Sequence, residues 1–387
     1  MTTVTWDPVA AWARIVDGRE DWVGPAYEPM LSGRPIARTE GVLGGFWSIA
    51  GFEQLCQAAD DPGTFSNVVP LFSTRRPPLE SDPPEHTQYR KLLNPHFSAR
   101  ALASVESRIR RYAQEMLHPL VMRGSADFAA ELSHPLPARV LCTLLGIDDR
   151  HWRTIKDFAR AVDRVGNTPP GDPSRSQAAG PMLEFLRGLV AAPVSGVGMI
   201  EGLCGARVDD RPLAPDQVLS LLLLVVSAGH NTTTSALGNL VFRLAQDPGL
   251  QQRLREDPGR VPDAIEECLR IDAPQQAMRR RVTTPTSVAG QVIGQGELVW
   301  LCFGAANVDP SHWDAPGTFD LDRADRRHLA FGRGIHRCVG APLARLELRI
   351  VIEELLASTT GFSLAGPVRR PDWPRMGVSS LPVVFER

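Results

Sequence analysis

The chain has 387 residues, 43% of them hydrophobic and 22% charged, with 42 basic against 44 acidic residues and a formal net charge of -2. That composition excludes a disordered or fibrous chain and allows a large buried core. The charges are scattered rather than blocked, which argues against nucleic acid or an anionic membrane as a partner.

Met1 to Ala11 contains Asp7 and Pro8 and lacks the basic and apolar stretches of an export signal, so a cytoplasmic protein is expected. Cys56, Cys142, Cys204, Cys268, Cys302 and Cys338 are widely spaced, as reduced thiols would be. No linker divides the chain, and one domain over 1–387 is expected. Its class is mostly α with minor β, strands lying near both ends and helices in the middle.

Phe46 to Ile49 carries a first, weak strand signal. Asp82 and Pro83 suit the cap and first turn of a helix that places His86 and Arg90 on one face. From about Ala101 to Arg270 apolar residues recur at helical spacing. Between Val165 and Gly180 the residues Pro169, Pro170, Gly171, Pro173, Ser174 and Ser176 predict a loop.

The helix between Pro215 and Pro248 is apolar from Leu219 to Ala228, but His230 and Asn231 end that run short of the ~20 residues a bilayer span requires. Within it, Ala228-Gly229-His230-Asn231-Thr232 thins the helix. The Thr232 hydroxyl can bond the Ala228 carbonyl four residues back, which bends a helix and opens a notch beside the bend. Glu267 and Arg270 lie three apart on the next helix, within pairing distance. Val288 to Leu301 reads as a hairpin turning at Gly294 and Gly296, and Leu381 to Phe385 as a last strand.

The most informative segment is Phe331-Gly332-Arg333-Gly334-Ile335-His336-Arg337-Cys338-Val339-Gly340. Gly332, Gly334 and Gly340 give the backbone access to positive φ and let it approach a flat ligand. A helix follows, with Pro342 in its first turn and Ala344, Leu348, Val351, Ile352 and Leu355 on one apolar face. Cys338 thus stands just ahead of a helix N-terminus, where unpaired amides and the dipole favour a thiolate. A metal site at His336 and Cys338 would need further ligands, and no partner pair stands at suitable spacing.

The segment resembles the cysteine-loop signature of the cytochrome P-450 superfamily at Phe331, Gly332, Gly334, His336, Cys338, Gly340 and Ala344. The resemblance extends from about Asp82 to the C-terminus. It implies the P-450 fold, with a long central helix over haem b and the cysteine loop beneath it. It also implies a soluble, bacterial-type monooxygenase whose iron is held by the Cys338 thiolate, a ligand that pushes electron density toward cleavage of bound dioxygen. Hydroxylation, dealkylation or epoxidation would follow.

By the same resemblance, Glu267, Arg270 and Arg323, the last in Pro316-x-x-Phe319-x-x-x-Arg323, form a triad that locks the fold behind the haem. His86, Arg90, His336 and an arginine at the start of the strand after the Glu267 helix match propionate-binding positions. That arginine is Arg280 or its neighbour Arg281. Ala228 to Thr232 is similar to the family's oxygen-activation motif, except that Asn231 stands where an acid is usual. An amide orients water but does not ionise, so an altered proton path or a less usual oxidation is expected.

The family's substrate pocket maps onto Val68, Val69, Leu71 and Phe72; Leu224, Val225 and Ala228; Ala273 to Met278, with Gln275 and Gln276; and Gly377 to Ser379 around Val378. Most are apolar, which implies a small hydrophobic or aromatic substrate. With no residues left for a flavin or iron-sulfur domain, the resemblance implies a monomer supplied with electrons by a ferredoxin and ferredoxin reductase from NAD(P)H. An acidic ferredoxin would dock near Cys338 at Arg333, Arg337 and Arg100 or Arg110. Two other readings are a peroxide-driven or coupling enzyme of the same fold, suggested by Asn231, and a non-catalytic haem sensor, against which Thr232 argues.

Overall fold

The apolar periodicity of the middle of the chain closes into a helical bundle around one continuous core. The computed structural model describes residues 5–18, 22–40, 45–70, 75–165, 168, 172–192 and 198–387. At the centre of the bundle run two nearly continuous helices, Pro215–Gly229 and Asn231–Gln246, interrupted at His230. Together they are long and apolar enough to cross a membrane, but 72% of the apolar window is buried inside the protein, as befits a core helix. The helix after the cysteine loop, Ala341–Ser358, packs along Ala99–Arg123. Leu348, Val351, Ile352 and Leu355 are buried, and Arg110 and Arg349 cross-link the two helices through Glu353, Glu354 and Glu106.

The strands form a separate layer. The main sheet runs in the order Ile36–Thr39, Phe46–Ile49, Leu298–Leu301, Met278–Val282, Phe65–Ser66. Leu298–Leu301 is parallel to Phe46–Ile49 and antiparallel to Met278–Val282, with Val299 opposite Arg280 and Trp300 opposite Arg279. A three-stranded sheet joins Gly361–Leu364, Pro382–Glu386 and Ser125–Asp127.

Three sequence expectations need correction. The hairpin in the 288–301 region turns at Ala289 and Gly290, both at positive φ as a tight two-residue turn demands, and pairs Thr286–Val288 with Gln291–Ile293. Gly294 and Gly296 instead lead into a strand of the main sheet. The loop expected over 165–180 gives way to helix Pro173–Ala191, because Asp172 caps it through the Ser174 amide and Pro173 occupies its first position, where a missing N–H costs nothing. Pro169, Pro170 and Gly171 lie outside the described residues. Finally, the helix carrying His86 and Arg90 is Glu85–Leu93, and the Asp82 carboxylate does not cap it: it accepts from Ser66 and from the Asn67 amide.

Helix Val261–Ile271 anchors the bundle to the segment before the cysteine loop. Its Glu267, 2% exposed, accepts two bonds from Arg270 and two from Arg323, and also the Asp320 amide. Arg270 spends its remaining donors on the carbonyls of Asn307, Pro316 and Thr318. A buried ion group of this kind is tolerable because both carboxylate oxygens and every guanidinium nitrogen of Arg270 and Arg323 are hydrogen-bonded. The neighbouring Glu266 points the other way, gripping Arg345 with both oxygens at 2.7 Å and His328 at 3.2 Å.

Burial raises the Glu266 pKa, but the hydrogen bonds and charges of Arg345 and His328 outweigh it and bring the carboxyl down to about 2. The unfolded value is about 4.3, so its contribution to stability is complete above that pH and is lost as the pH falls toward about 2. Glu266→Gln is expected to lower the melting midpoint near neutrality by a few degrees. It should also flatten the acid limb of the stability curve between about pH 5 and 3. Parallel limbs for variant and wild type in calorimetry would contradict this.

Candidate functional site

The cysteine loop takes its shape from two glycines rather than three. Gly332 and Gly334 have φ of 69° and 68°, whereas Gly340 has φ of -81° and caps helix Ala341–Ser358. At Gly334 a side chain is barred twice, by the positive φ and because a Cβ would lie 2.5 Å from the Ala59 carbonyl oxygen. A Cβ on Gly340 would sit 3.8 Å from both Cys338 Sγ and Phe97, so the bare backbone keeps the flank of the sulfur clear. The Cys338 amide donates to the Phe331 carbonyl at 2.8 Å, closing the loop. The guanidinium of Arg345 lies 4.4 Å from the centre of the Phe331 ring and is the same group that Glu266 grips.

Burial pushes the Cys338 thiol pKa up. The amides of Gly340 and Ala341, with Arg90 and Arg345, pull it back only in part. Residue 338 nonetheless retains accessible surface. The start of the helix therefore does not create a thiolate unaided, as the sequence had suggested. A cation bound to the sulfur would complete the task.

Beside the loop lies a knot of basic side chains. The rings of His86 and His336 meet edge to face with centroids 4.5 Å apart. Arg280 is buried, and burial brings its pKa down to about 10. His336 is lowered to about 3 by burial and by Arg280, His86 and Arg90; His86 is lowered by burial and Arg90. Arg90 donates to the Arg337 carbonyl at 2.5 Å. Both ring nitrogens of His86 and Nε2 of His336 are buried without a hydrogen-bond partner among the described residues. Orphaned donors packed so closely call for anionic oxygens. The strand register also settles the choice between neighbours: Arg280 faces this knot, whereas Arg281 is exposed and donates to the Gly296 carbonyl.

At the break in the central helix the Thr232 hydroxyl donates to the Ala228 carbonyl at 2.9 Å and the Thr233 hydroxyl to the Gly229 carbonyl at 3.2 Å. The notch expected from the sequence has its hydrogen bond. Asn231, however, is turned toward helix Trp152–Arg164. Its Nδ2 donates to the Ala159 carbonyl and, at 2.9 Å, to Asp163. Its Oδ1 faces His230 Nδ1 at 2.8 Å, while His230 Nε2 lies 2.8 Å from the His134 carbonyl. A neutral ring donates to only one of these two acceptors. Asp163 in turn is ion-paired with Arg375.

The family model for Cytochrome P450 matches residues 199–364. Cytochrome P450 107B1 of Saccharopolyspora erythraea is 33% identical over 384 residues, covering 96% of this chain and 90% of its own length. The chain belongs to the cytochrome P450 family. Cyclomarin C epoxidase of Salinispora arenicola is 33% identical over 362 residues, covering 88% of this chain and 90% of its own. The crystal structure of the P450 CYP108D1 from Novosphingobium aromaticivorans superposes with a TM-score of 0.85 at 26% identity, covering 99% of this chain and all of that one (100%). The protein is accordingly a monooxygenase, an oxidoreductase that binds haem b, and its mostly helical architecture is the P450 fold.

Of the P450 pocket positions expected from the sequence, Val69, Leu224 and Val225 are buried and Val68 is exposed; Leu71 and Phe72 lie outside the described residues. Gln275 is half-buried and donates to the Ala277 carbonyl, and Met278 packs against the sheet-side core. Two assignments change. Gln276 is fully buried in the opposite direction, donating to the Ala273 carbonyl and accepting from Tyr27. Val378 seats against the central helix, where a Cβ on Gly238 would come within 2.2 Å of it, so it packs the C-terminal segment down. On the face beside the cysteine loop, Arg333 is bound to Asp60 and Arg110 to Glu353 and Glu354. Only Arg100 and Arg337 of the expected docking cations are exposed without an ion pair among the described residues.

Sequence reasoning missed Asp163 and Arg375, which reach Asn231 from distant segments, and Glu266, masked by the better-marked Glu267 beside it. The Asn231 network makes a clear prediction. Asn231→Asp places a second carboxylate within 2.9 Å of Asp163 Oδ1, so one of the pair must hold a raised pKa in the folded state. The folded protein then binds the extra proton, and stability falls as the pH rises from about 4 through that raised value. The melting-point deficit of Asn231→Asp relative to wild type should therefore be larger at about pH 8 than at about pH 5. An equal deficit at both would rule out the electrostatic reading.

Proposed function

We propose that this P450 inserts one atom of dioxygen into a predominantly apolar organic substrate, with the Cys338 sulfur as the residue that would hold the haem iron and a separate ferredoxin system as electron source. The observation that carries the reading is the gathering of His86, Arg90, Arg280 and His336, with the partnerless ring nitrogens of the two histidines, beside the Cys338 loop. These four are assigned to the two haem propionates, and their depressed basicity is what an acceptor-starved cluster should have before anionic partners are supplied. Gly332 and Phe331 bound the loop, and Gly340 leaves the sulfur unobstructed. When bound, the haem supplies the oxygen activation and insertion that side chains cannot.

The protein's own contribution on the oxygen side is assigned to Thr232, Ala228 and Gly229. Thr232 holds the helix open through the Ala228 carbonyl, and its hydroxyl can pass a proton along a chain of hydrogen bonds. Asn231 serves that path indirectly: it ties helix Trp152–Arg164 to the break and so fixes where the bend occurs. Leu224 and Val225 contribute apolar lining and keep water out, which favours productive over wasteful reduction of dioxygen. The epoxidase among the relatives supports insertion at carbon as the outcome.

A reconstituted system of ferredoxin, ferredoxin reductase and NAD(P)H under isotopically labelled dioxygen tests the assignment. One labelled oxygen atom should appear per product molecule. Thr232→Ala should still consume NAD(P)H but divert most of it to hydrogen peroxide, lowering product per NAD(P)H by about tenfold or more. Unchanged coupling in Thr232→Ala would remove the threonine from the mechanism, and label-free product would remove the monooxygenase reading.

A further inference from the structure

Phe331 opens the cysteine loop and touches two groups that Glu266 holds. Its carbonyl accepts the Cys338 amide at 2.8 Å, so the residue that carries the ring is bonded to the residue that carries the sulfur. The Arg345 guanidinium lies 4.4 Å from the centre of that ring, and the His328 ring stands 5.9 Å from it at a tilt of 39°. Glu266 Oε1 and Oε2 accept from Arg345 Nε and Nη2 at 2.7 Å each, and Oε2 also faces His328 Nε2 at 3.2 Å. Arg345 stands one turn past Ala341 on helix Ala341–Ser358, so this bidentate pair ties the start of that helix to helix Val261–Ile271.

The hydrogen bonds fix the charge of this group. The Ala330 amide donates to His328 Nδ1 at 3.2 Å, which makes Nδ1 an acceptor and puts the ring's proton on Nε2, facing Glu266. His328 is therefore neutral in this arrangement, and the carboxylate has one cation to balance. The other acids of the helix are engaged elsewhere, Glu267 by Arg270 and Arg323 and Asp263 by Arg260 and Arg326. The Glu266 and Arg345 side chains are 22% and 34% exposed, so neither charge would be fully screened by solvent if its partner were lost. The pair is neutral as a whole, and either half alone is a unit charge beside the cysteine loop.

We propose that Glu266 is a positioning residue that sets the reduction potential of the haem, by cancelling the Arg345 charge beside the Phe331–Cys338 loop and holding the guanidinium against the Phe331 ring. The inference rests on the reading of Cys338 as the residue that would hold the iron. Reduction of ferric to ferrous iron adds one negative charge at the site. An uncompensated cation nearby favours that step, an uncompensated carboxylate opposes it, and the hydrogen bonds and charges around the axial ligand are the levers a protein has for the purpose. A unit charge about 10 Å away, at an effective dielectric of about 20, changes an equilibrium roughly tenfold.

Spectroelectrochemical titration of the haem-loaded enzyme near neutral pH tests the proposal. The midpoint of Glu266→Gln should rise, with the ferrous form favoured about tenfold over wild type, which is about 59 mV for a one-electron couple. Arg345→Gln should move the midpoint by a similar factor in the opposite direction. The double variant Glu266→Gln, Arg345→Gln is neutral again and should return to within about threefold of wild type, which a loss of packing alone would not produce. Arg345→Lys keeps the charge and should also stay within about threefold. Shifts of the same sign in the two single variants, midpoints unmoved in both, or a double variant displaced further than either single one overturn the proposal. If Glu266→Gln does not retain haem, Arg345→Gln decides alone: a lowered midpoint supports the proposal, and a raised or unmoved one overturns it. The reduced, carbon-monoxide-bound spectrum of the same preparations reports on the haem ligand separately. Unmoved midpoints with the thiolate-type band intact sink this inference alone, whereas a wild type without that band removes the ligand reading beneath it.

Discussion

Two adjacent carboxylates on helix Val261–Ile271 hold the rest of the site in place. Glu267 gathers Arg270 and Arg323 and, through Arg270, the carbonyls of the segment leading to the cysteine loop. Glu266 takes the opposite side and clamps Arg345, whose guanidinium covers the Phe331 ring at the loop's entry. The loop is thus pinned at both ends by charge-assisted hydrogen bonds to one rigid helix, and Cys338 has little freedom between them. Satisfied buried ion pairs contribute uniqueness of position more than net stability, and the iron ligand we propose at Cys338 needs position.

The contrast between satisfied and unsatisfied charge separates framework from function. In the Glu267 group every donor has an acceptor. Around His86 and His336 the nitrogens are orphaned, and around Arg279 a buried donor has no acceptor among the described residues. Folding tolerates such groups only if something else completes them. Arg279 and Arg280 alternate on strand Met278–Val282 and so face opposite sides of it.

What could be read from the sequence was local. The cysteine loop, the Glu267–Arg270 pair and the Thr232 back-bond each depend on residues within one turn or one loop, and the structure forms all three hydrogen-bonded arrangements. What could not be read depended on register or on distant segments. Arg280 and Arg281 differ only in which face of a strand they occupy, which is decided by pairing with Leu298–Leu301. The hairpin turn at Ala289 and Gly290 was hidden because alanine rarely takes positive φ, and the more conspicuous glycines lie further on. Asn231 reads as part of a local motif, yet its partner Asp163 comes from a helix nearly seventy residues earlier. Gln276 was drawn into the pocket by its neighbours, although Tyr27 holds it in the sheet-side core.

The whole account turns on whether the side chain at 338 is the atom donor to iron. Its most direct test is the absorption spectrum of the reduced, carbon-monoxide-bound protein, recorded for the wild type and for Cys338→Ser in matched preparations. The wild type should show the thiolate-type band, and the serine variant should lack it, either by losing haem or by binding it with a different axial group. A thiolate-type band that persists in Cys338→Ser would contradict the account at its foundation.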